Sequence, residues 1–450
     1  MDINLPHNFS FRGYQEPQFI ASAEGINRFY KVWHRRAGKD ITDLNFTVMK
    51  MMERVGNYWH MLPEYKQARK AIWRGKTADG RPYIDHFPPE LIAKKRDQEM
   101  EIELINGSIW QIVGSDNVDA VRGAGPVGVT FSEFAFTDPK AWPTIEPILL
   151  ENGGWAVFNT TPYGPNHAKD LWDRAQENPK WFTQLLTVED TAKEDGSPII
   201  SQEMIAELRA MGTSEETIQR EYYCSFEGSI EGSYYSQILS KMDTEGLMTK
   251  VPYNPSFPVF VYMDIGKSDY TSIWWGQKVG REFRFIDYYQ ASNEDPPDHA
   301  ELFKSKGYNY STIYLPHDAS HVRYGMPNTV LKQFRDLMPN EKFQALGVTS
   351  SVQADIFSTK AFLPRCVFDK EKCKDGLDAL YSYTKKWNDA KNCFDDNPYH
   401  NWASHGADAF RYAALDLMKE NDLDRPKLNE NGIPTFEGAM IGQGFKSKRI

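Results

Sequence analysis

Residues Trp33–Asp40 read WHRRAGKD, and this stretch decides the first half of the chain. Ahead of it, Phe29–His34 is a short apolar, β-prone run. Behind it, Ile41, Leu44, Val48, Met51, Met52 and Val55 recur at helical spacing. Gly-Lys between a strand and a helix suits phosphate. Backbone N–H groups at a helix N-terminus cradle anionic oxygens, and the lysine places an ammonium on the β and γ oxygens. The stretch therefore predicts a phosphate loop made of Arg35, Arg36, Ala37, Gly38, Lys39 and Asp40. The bland alternative is a basic surface turn.

A nucleotide-hydrolysing site also needs a second apolar strand ending in acid. The run Val127–Phe131 supplies it, followed by Ser132 and Glu133, about 90 residues beyond the lysine. A carboxylate there orients and deprotonates an attacking water. A third strand-like run, Trp155–Asn159, leads into Thr160-Thr161-Pro162, hydroxyls placed to sense a γ-phosphate. Arg122, eleven residues before Glu133, is either a surface ion-pair partner or an arginine finger that completes a neighbour's site. With Ile109–Val113, these runs alternate strand and helix, as in a parallel α/β sheet.

The segment Phe226–Tyr253 holds three glycines and no long periodic run, and it reads as a linker. A new pattern follows. Val259–Met263 is strand-like and ends in Asp264. Ser272–Gly276 and Glu282–Tyr289 flank the turn GQKVGR, a helical stretch covers Asp298–Lys306, and Thr312–Leu315 leads to His317-Asp318. Three hairpin-linked strands, a helix and a fourth strand match the opening of an RNase H topology, in which Asp264 and Asp318 end neighbouring strands. A late helix around HGADAFRYAALDLM presents Asp408 to the same point. Three converging carboxylates repel unless divalent cations neutralise them, and magnesium or manganese suits an oxygen-only site. Asp269 and His317 are outer candidates, with a structural role as the stronger reading, and the spacing of His317 and His321 is weak evidence for zinc. Lys267, Lys278, Arg281 and Arg323 are candidate DNA contacts, with scattered surface charge as the stronger reading.

Composition bounds the rest. A chain of 450 residues with 40% apolar and 25% charged residues predicts two soluble globular domains. No apolar run reaches membrane-spanning length, and no signal peptide is indicated. The four cysteines show no zinc-like spacing and read as reduced cytosolic thiols. A net charge of −10 argues against a nucleic-acid coat but leaves room for a local basic groove.

Order and spacing of these motifs resemble the large terminase subunits of tailed phages, particularly HK97-like ones, over roughly residues 11–415. FRGYQEPQF is similar to their adenine-contacting stretch, which implies Gln15 as base reader. Their phosphate loop, catalytic glutamate, trans-acting arginine and coupling motif match Arg35–Lys39, Glu133, Arg122 and Thr160-Thr161. Their nuclease acids, with a closing HxxD, match Asp264, Asp318, Asp408 and His405, the last a further candidate ligand. The resemblance implies an additional-strand, catalytic-glutamate P-loop ATPase over 1–228, a linker over 229–253, an RNase H-like nuclease over 254–425 and a flexible tail over 426–450. It further implies ATP with Mg2+, two Mg2+ or Mn2+ ions in the nuclease site, and double-stranded DNA, a portal and a small terminase subunit as partners. The expected setting is a homo-oligomeric ring on the portal vertex in the host cytoplasm. Two positions depart from the P-loop pattern: Asp40 stands where Ser/Thr is usual, and Ser132 where an acid is usual. The alternatives are a helicase-like repair ATPase-nuclease, lacking here a DEAD/DExH-type box, and a degenerate portal-docking scaffold.

Overall fold

The computed structural model describes the chain apart from residues 1–3, 78, 117–124, 165, 227–231, 267–269, 323–327, 349–350, 389–392, 424–426, 429–433 and 436–450. It forms two compact units: Met1–Ser240 with Leu377–Ser404, and Lys241–Gly376 with His405–Ile450. Among the described residues no helix is long and apolar enough to cross a membrane.

The first unit is built on eight strands: β1 (Arg28–Trp33), β2 (Asn57–Leu62), β3 (Ile92–Arg96), β4 (Glu101–Leu104), β5 (Ile109–Gly114), β6 (Gly128–Phe131), β7 (Trp155–Thr160) and β8 (Trp181–Leu186). Their order is β3-β4-β5-β2-β6-β7-β1-β8. The six strands from β5 to β8 in that order are parallel, and β3–β4 extend the sheet antiparallel. Parallel strands covered by helices on both faces read as continuous apolar runs, and β1 and β7 are buried along their whole length. Separate cores form on the two faces, one around Phe29, Phe46, Trp110 and Trp155, the other around Tyr30, Phe131, Phe158 and Trp172. At the start of β6, a Cβ on Gly128 would come within 2.3 Å of the Trp155 ring, so only glycine lets that indole lie against the strand. Strand β7 runs between β1 and β6. That order is the additional-strand arrangement expected from the sequence.

The second unit carries β9 (Met248–Thr249), β10 (Val259–Asp264), β11 (Tyr270–Val279), β12 (Glu282–Ser292), β13 (Tyr310–Leu315), β14 (Phe343–Ala345) and β15 (Cys366–Asp369), in the order β14-β13-β10-β11-β12-β15-β9. β10, β11 and β12 are an antiparallel meander, and β13 returns parallel to β10 after the helix Pro296–Lys306. This is the RNase H order. The long helix Trp402–Leu423 comes late in the chain. The segment read as a linker instead holds the helix Ser236–Thr244 and strand β9, which pairs with β15. Leu239 and Met242, three residues apart, are both buried. Two anchors in so short a helix do not stand out between glycines. Most of the tail from 426 onward lies outside the described residues.

Candidate functional site

Strand β1, paired with β7 and β8, delivers the phosphate loop from its C-terminal end. Arg36 and Gly38 adopt left-handed backbone, at φ 74° and 84°. A Cβ at Gly38 would also crowd the Gln15 amide at 3.1 Å, so glycine is required twice over. The loop is tied down from both sides. The Arg35 N–H donates to the Glu221 carbonyl at 2.8 Å, and the Tyr14 hydroxyl donates to the Ala37 carbonyl at 2.8 Å. Gln15 is buried, its amide accepting from the Arg12 N–H at 3.1 Å and lying 3.4 Å from the Ala37 carbonyl.

A cavity of about 890 Å³ opens over this loop, and Gln15, Arg35, Arg36, Gly38, Lys39, Asp40, Ser132, Glu133 and Thr161 all line it. Ala37 and Thr160 are buried behind it. Arg122 lies outside the described residues. Lys39 Nζ is 3.2 Å from Glu133 Oε1, and the Thr161 hydroxyl donates to the other Glu133 oxygen at 3.4 Å. Thr160 accepts from the Ala135 N–H at 3.1 Å, capping the turn that follows Glu133. Glu133 itself sits at φ 52°, ψ 51°, a left-handed conformation costly for a residue with a Cβ and concentrated at functional positions.

The two departures from the P-loop pattern meet each other. The Ser132 hydroxyl donates to Asp40 at 2.5 Å, and His60 on β2 lies 3.8 Å from the same oxygen. Burial pushes the Asp40 carboxyl up, but His60, the Ser132 hydroxyl and the Lys39 ammonium outweigh it and hold the group at about 2. Behind Asp40 runs a buried polar network that the sequence reading missed. Lys31 pairs with Asp43, Gln18 donates to Asp43 at 3.2 Å, and Asn159 donates to Asp43 at 2.6 Å and to Asp40 at 3.3 Å. A lysine in the middle of a buried strand, between Tyr30 and Val32, was the available signal.

In the second unit, Asp264 ends β10 and Asp318 occupies the turn after β13, so two parallel neighbours bring them to one edge. The Trp274 indole donates to the Gly406 carbonyl at 2.9 Å and packs on Phe410, seating the closing helix on β11. His405 Nδ1 lies 2.9 Å from Asp264 Oδ2, and Arg411 is 3.3 Å from Asp408. Burial raises the Tyr412 hydroxyl pKa first, and the charges of Asp264, Asp408 and Asp318 raise it further. One phenol thus feels all three acids. Arg411 and Tyr412 lie three and four residues after Asp408, a helical spacing that marks them as its neighbours. Among the described residues, no three such side chains come close enough to hold a metal ion. The donor chemistry, carboxylate oxygens with an imidazole, fits a hard divalent cation. Asp269, Lys267 and Arg323 lie outside the described residues. Lys278 rests over the Phe283 ring and Arg281 is exposed at a turn.

Fold and site define a two-part protein, a phosphate-loop α/β unit joined to an RNase H-like unit. Residues 261–404 match the terminase RNase H-like domain family. The large terminase subunit of Escherichia phage T5 is 21% identical over 405 residues, spanning 86% of this chain and 85% of that protein. Among solved structures, the large terminase of a thermophilic bacteriophage in complex with ADP is 15% identical, covers 91% of this chain and 100% of that chain, and has a TM-score of 0.40. The ATPase domain of a Thermus phage large terminase is 16% identical, covers 50% of this chain and 100% of that chain, and has a TM-score of 0.38. The chain is thus similar to phage terminase large subunits over most of its length, and its residues 261–404 match their RNase H-like domain.

Proposed function

We propose that this chain is the motor and cutting subunit of a phage DNA-packaging machine, moving double-stranded DNA into a prohead with ATP and cutting concatemeric DNA. The observation that carries the reading is the single cavity lined by Lys39, Asp40, Ser132, Glu133 and Thr161. In that cavity Lys39 would neutralise the β and γ oxygens of ATP, and Asp40 with Ser132 would hold the accompanying Mg2+, which would offset phosphate charge. Glu133 orients and deprotonates the attacking water. Thr161, hydrogen-bonded to Glu133, passes the state of the γ-phosphate to β7, and Gln15 reads the base. Arg122 acts on a neighbouring subunit's site in a ring docked on the portal, with the small terminase subunit presenting DNA in the host cytoplasm.

In the second unit Asp264, Asp318 and Asp408 would hold two Mg2+ or Mn2+ ions, with His405 orienting Asp264 or joining the ligand set. Such ions, when bound, activate water and stabilise the leaving oxygen of a phosphodiester. The acids supply oxygens, Arg411 pairs with Asp408, and Trp274 seats the helix that carries both.

The test is ATP hydrolysis and DNA uptake by portal-bearing proheads, read as DNA protected from added nuclease. The full chain is expected to turn over ATP and fill proheads, and Lys39→Ala to do neither. Turnover without uptake would leave a repair-type ATPase-nuclease as the better reading, and absence of turnover a docking scaffold.

A further inference from the structure

Asn159 is fully buried at the end of β7, and every polar atom of its side chain is committed. Its amide nitrogen donates to Asp43 at 2.6 Å and to Asp40 at 3.3 Å, and its carbonyl accepts from the Glu133 backbone N–H at 3.3 Å. Two donors and one acceptor at fixed angles are what a primary amide offers, and an aspartate in its place would present acceptors to two carboxylates. The amide's orientation is therefore set by its surroundings. Lys31, which stands beside Asn159 in the β1–β7 register, pairs with Asp43 and keeps that carboxylate in place.

The third contact matters most. Glu133 is held in left-handed backbone, and the N–H that Asn159 accepts from belongs to that residue. We propose that Asn159 is a positioning residue for ATP hydrolysis: its amide clamps the backbone of Glu133 and ties it to Asp40 and Asp43 on the phosphate-loop helix. The proposal rests on the ATPase reading above. The side chain lines no part of the cavity, so it acts through Glu133 and Asp40 rather than on nucleotide. Nucleotide affinity, set by the loop and Lys39, should survive its loss, while the rate should not. A misplacement of a catalytic group by about 1 Å can cost ~10²-fold in rate.

The experiment compares the full chain with Glu133→Gln, Asn159→Ala and Asn159→Ser. It reads kcat and KM for ATP, binding of a fluorescent ATP analogue, and hydrogen exchange in the peptide covering residues 131–137. Alanine empties the site, and serine keeps a small polar group that cannot span the three contacts. Both are expected to bind the analogue within about 3-fold of the unaltered chain, to turn over ~10²-fold more slowly at similar KM, and to exchange faster around Glu133. A kcat within about 3-fold in both variants overturns the proposal. So does parallel loss of binding and rate, which would make Asn159 a support of the loop, and so does failure of both to fold. If the unaltered chain shows no turnover, the ATPase reading itself falls. If it turns over and Glu133→Gln does not, only the role of Asn159 is at stake.

Discussion

The exchange of Asp40 and Ser132 is open to a quantitative test. A P-loop site usually has an alcohol after the lysine and an acid at the end of the second strand, and here the two have changed places across a 2.5 Å hydrogen bond. A hydrogen bond to a charged group contributes about 1.5–3 kcal/mol, or roughly 10- to 150-fold in a rate constant that depends on it. Asp40→Thr should lower kcat/KM for ATP by that factor. Ser132→Asp should do worse, because two carboxylates about 4 Å apart repel by about 4 kcal/mol at an effective dielectric near 20, enough for ~10³-fold before one of them protonates. The double variant restores one acid and one alcohol in the usual positions, so it should regain at least ~10-fold over Ser132→Asp alone. The coupling energy from the four-membered cycle should be about 1.5 kcal/mol or more. The assay is steady-state ATP hydrolysis by the full chain at pH 7.5, with analogue binding as a check on folding. Losses that simply multiply in the double variant would refute the idea that the two residues serve one ion.

Other outcomes follow from the same geometry. Glu133→Gln should abolish ATP turnover and leave metal-dependent DNA cleavage, while Asp264→Asn should stop cleavage and spare ATP turnover; loss of both from either change in folded protein would show that the sites are not separate. Asp40 is 23% exposed and its carboxyl is held at about 2 against an ordinary 3.8, so it contributes about 2 kcal/mol of stability above pH 4 that is lost as the pH falls towards 2. Burial holds the His34, His86 and His299 imidazoles below their ordinary 6.5, so stability should start to decline already as the pH falls below that value. Acid melts of Ser132→Ala, which removes one of the groups lowering Asp40, should show a weaker loss between pH 4 and 2; an unchanged slope would count against the assignment.

Much of the architecture was readable because its signals are local. Gly38-Lys39 between a strand and a helix, Glu133 after an apolar strand, and Asp264 and Asp318 after two more strands each announce themselves within ten residues. The Asp408 helix was legible from its apolar face. The buried network was not, because Lys31, Asp43 and Asn159 come from three elements brought together only by the order β7-β1 and the helix above them. Nor was the antiparallel β3–β4 extension, whose outer strand β3 reads IAKKR and is largely exposed and charged, as suits a sheet edge and not a core strand. The return of Leu377–Ser404 to the first unit leaves no composition shift to find. The helix in the expected linker was hidden by its glycine-rich surroundings.

The cysteines make each unit a timekeeper of its own opening. Cys224 lies in the first unit, and Cys366 and Cys373 lie in the second; all three are buried and free. Burial pushes Cys224 up to about 12, even with Lys39 drawing it down, and pushes the other two thiols up as well. Only thiolate reacts with alkylating reagents, so at pH 8 roughly one part in ten thousand of Cys224 is competent even before access is counted. Labelling then waits on exposure of the surrounding core, and its rate measures how often that core lets go. With Cys393 replaced by serine, mass spectrometry of the alkylated chain would read the two units separately in one sample. A motor that loosens its first unit at each round of ATP turnover would label Cys224 faster while it works, with Cys366 and Cys373 keeping their resting pace.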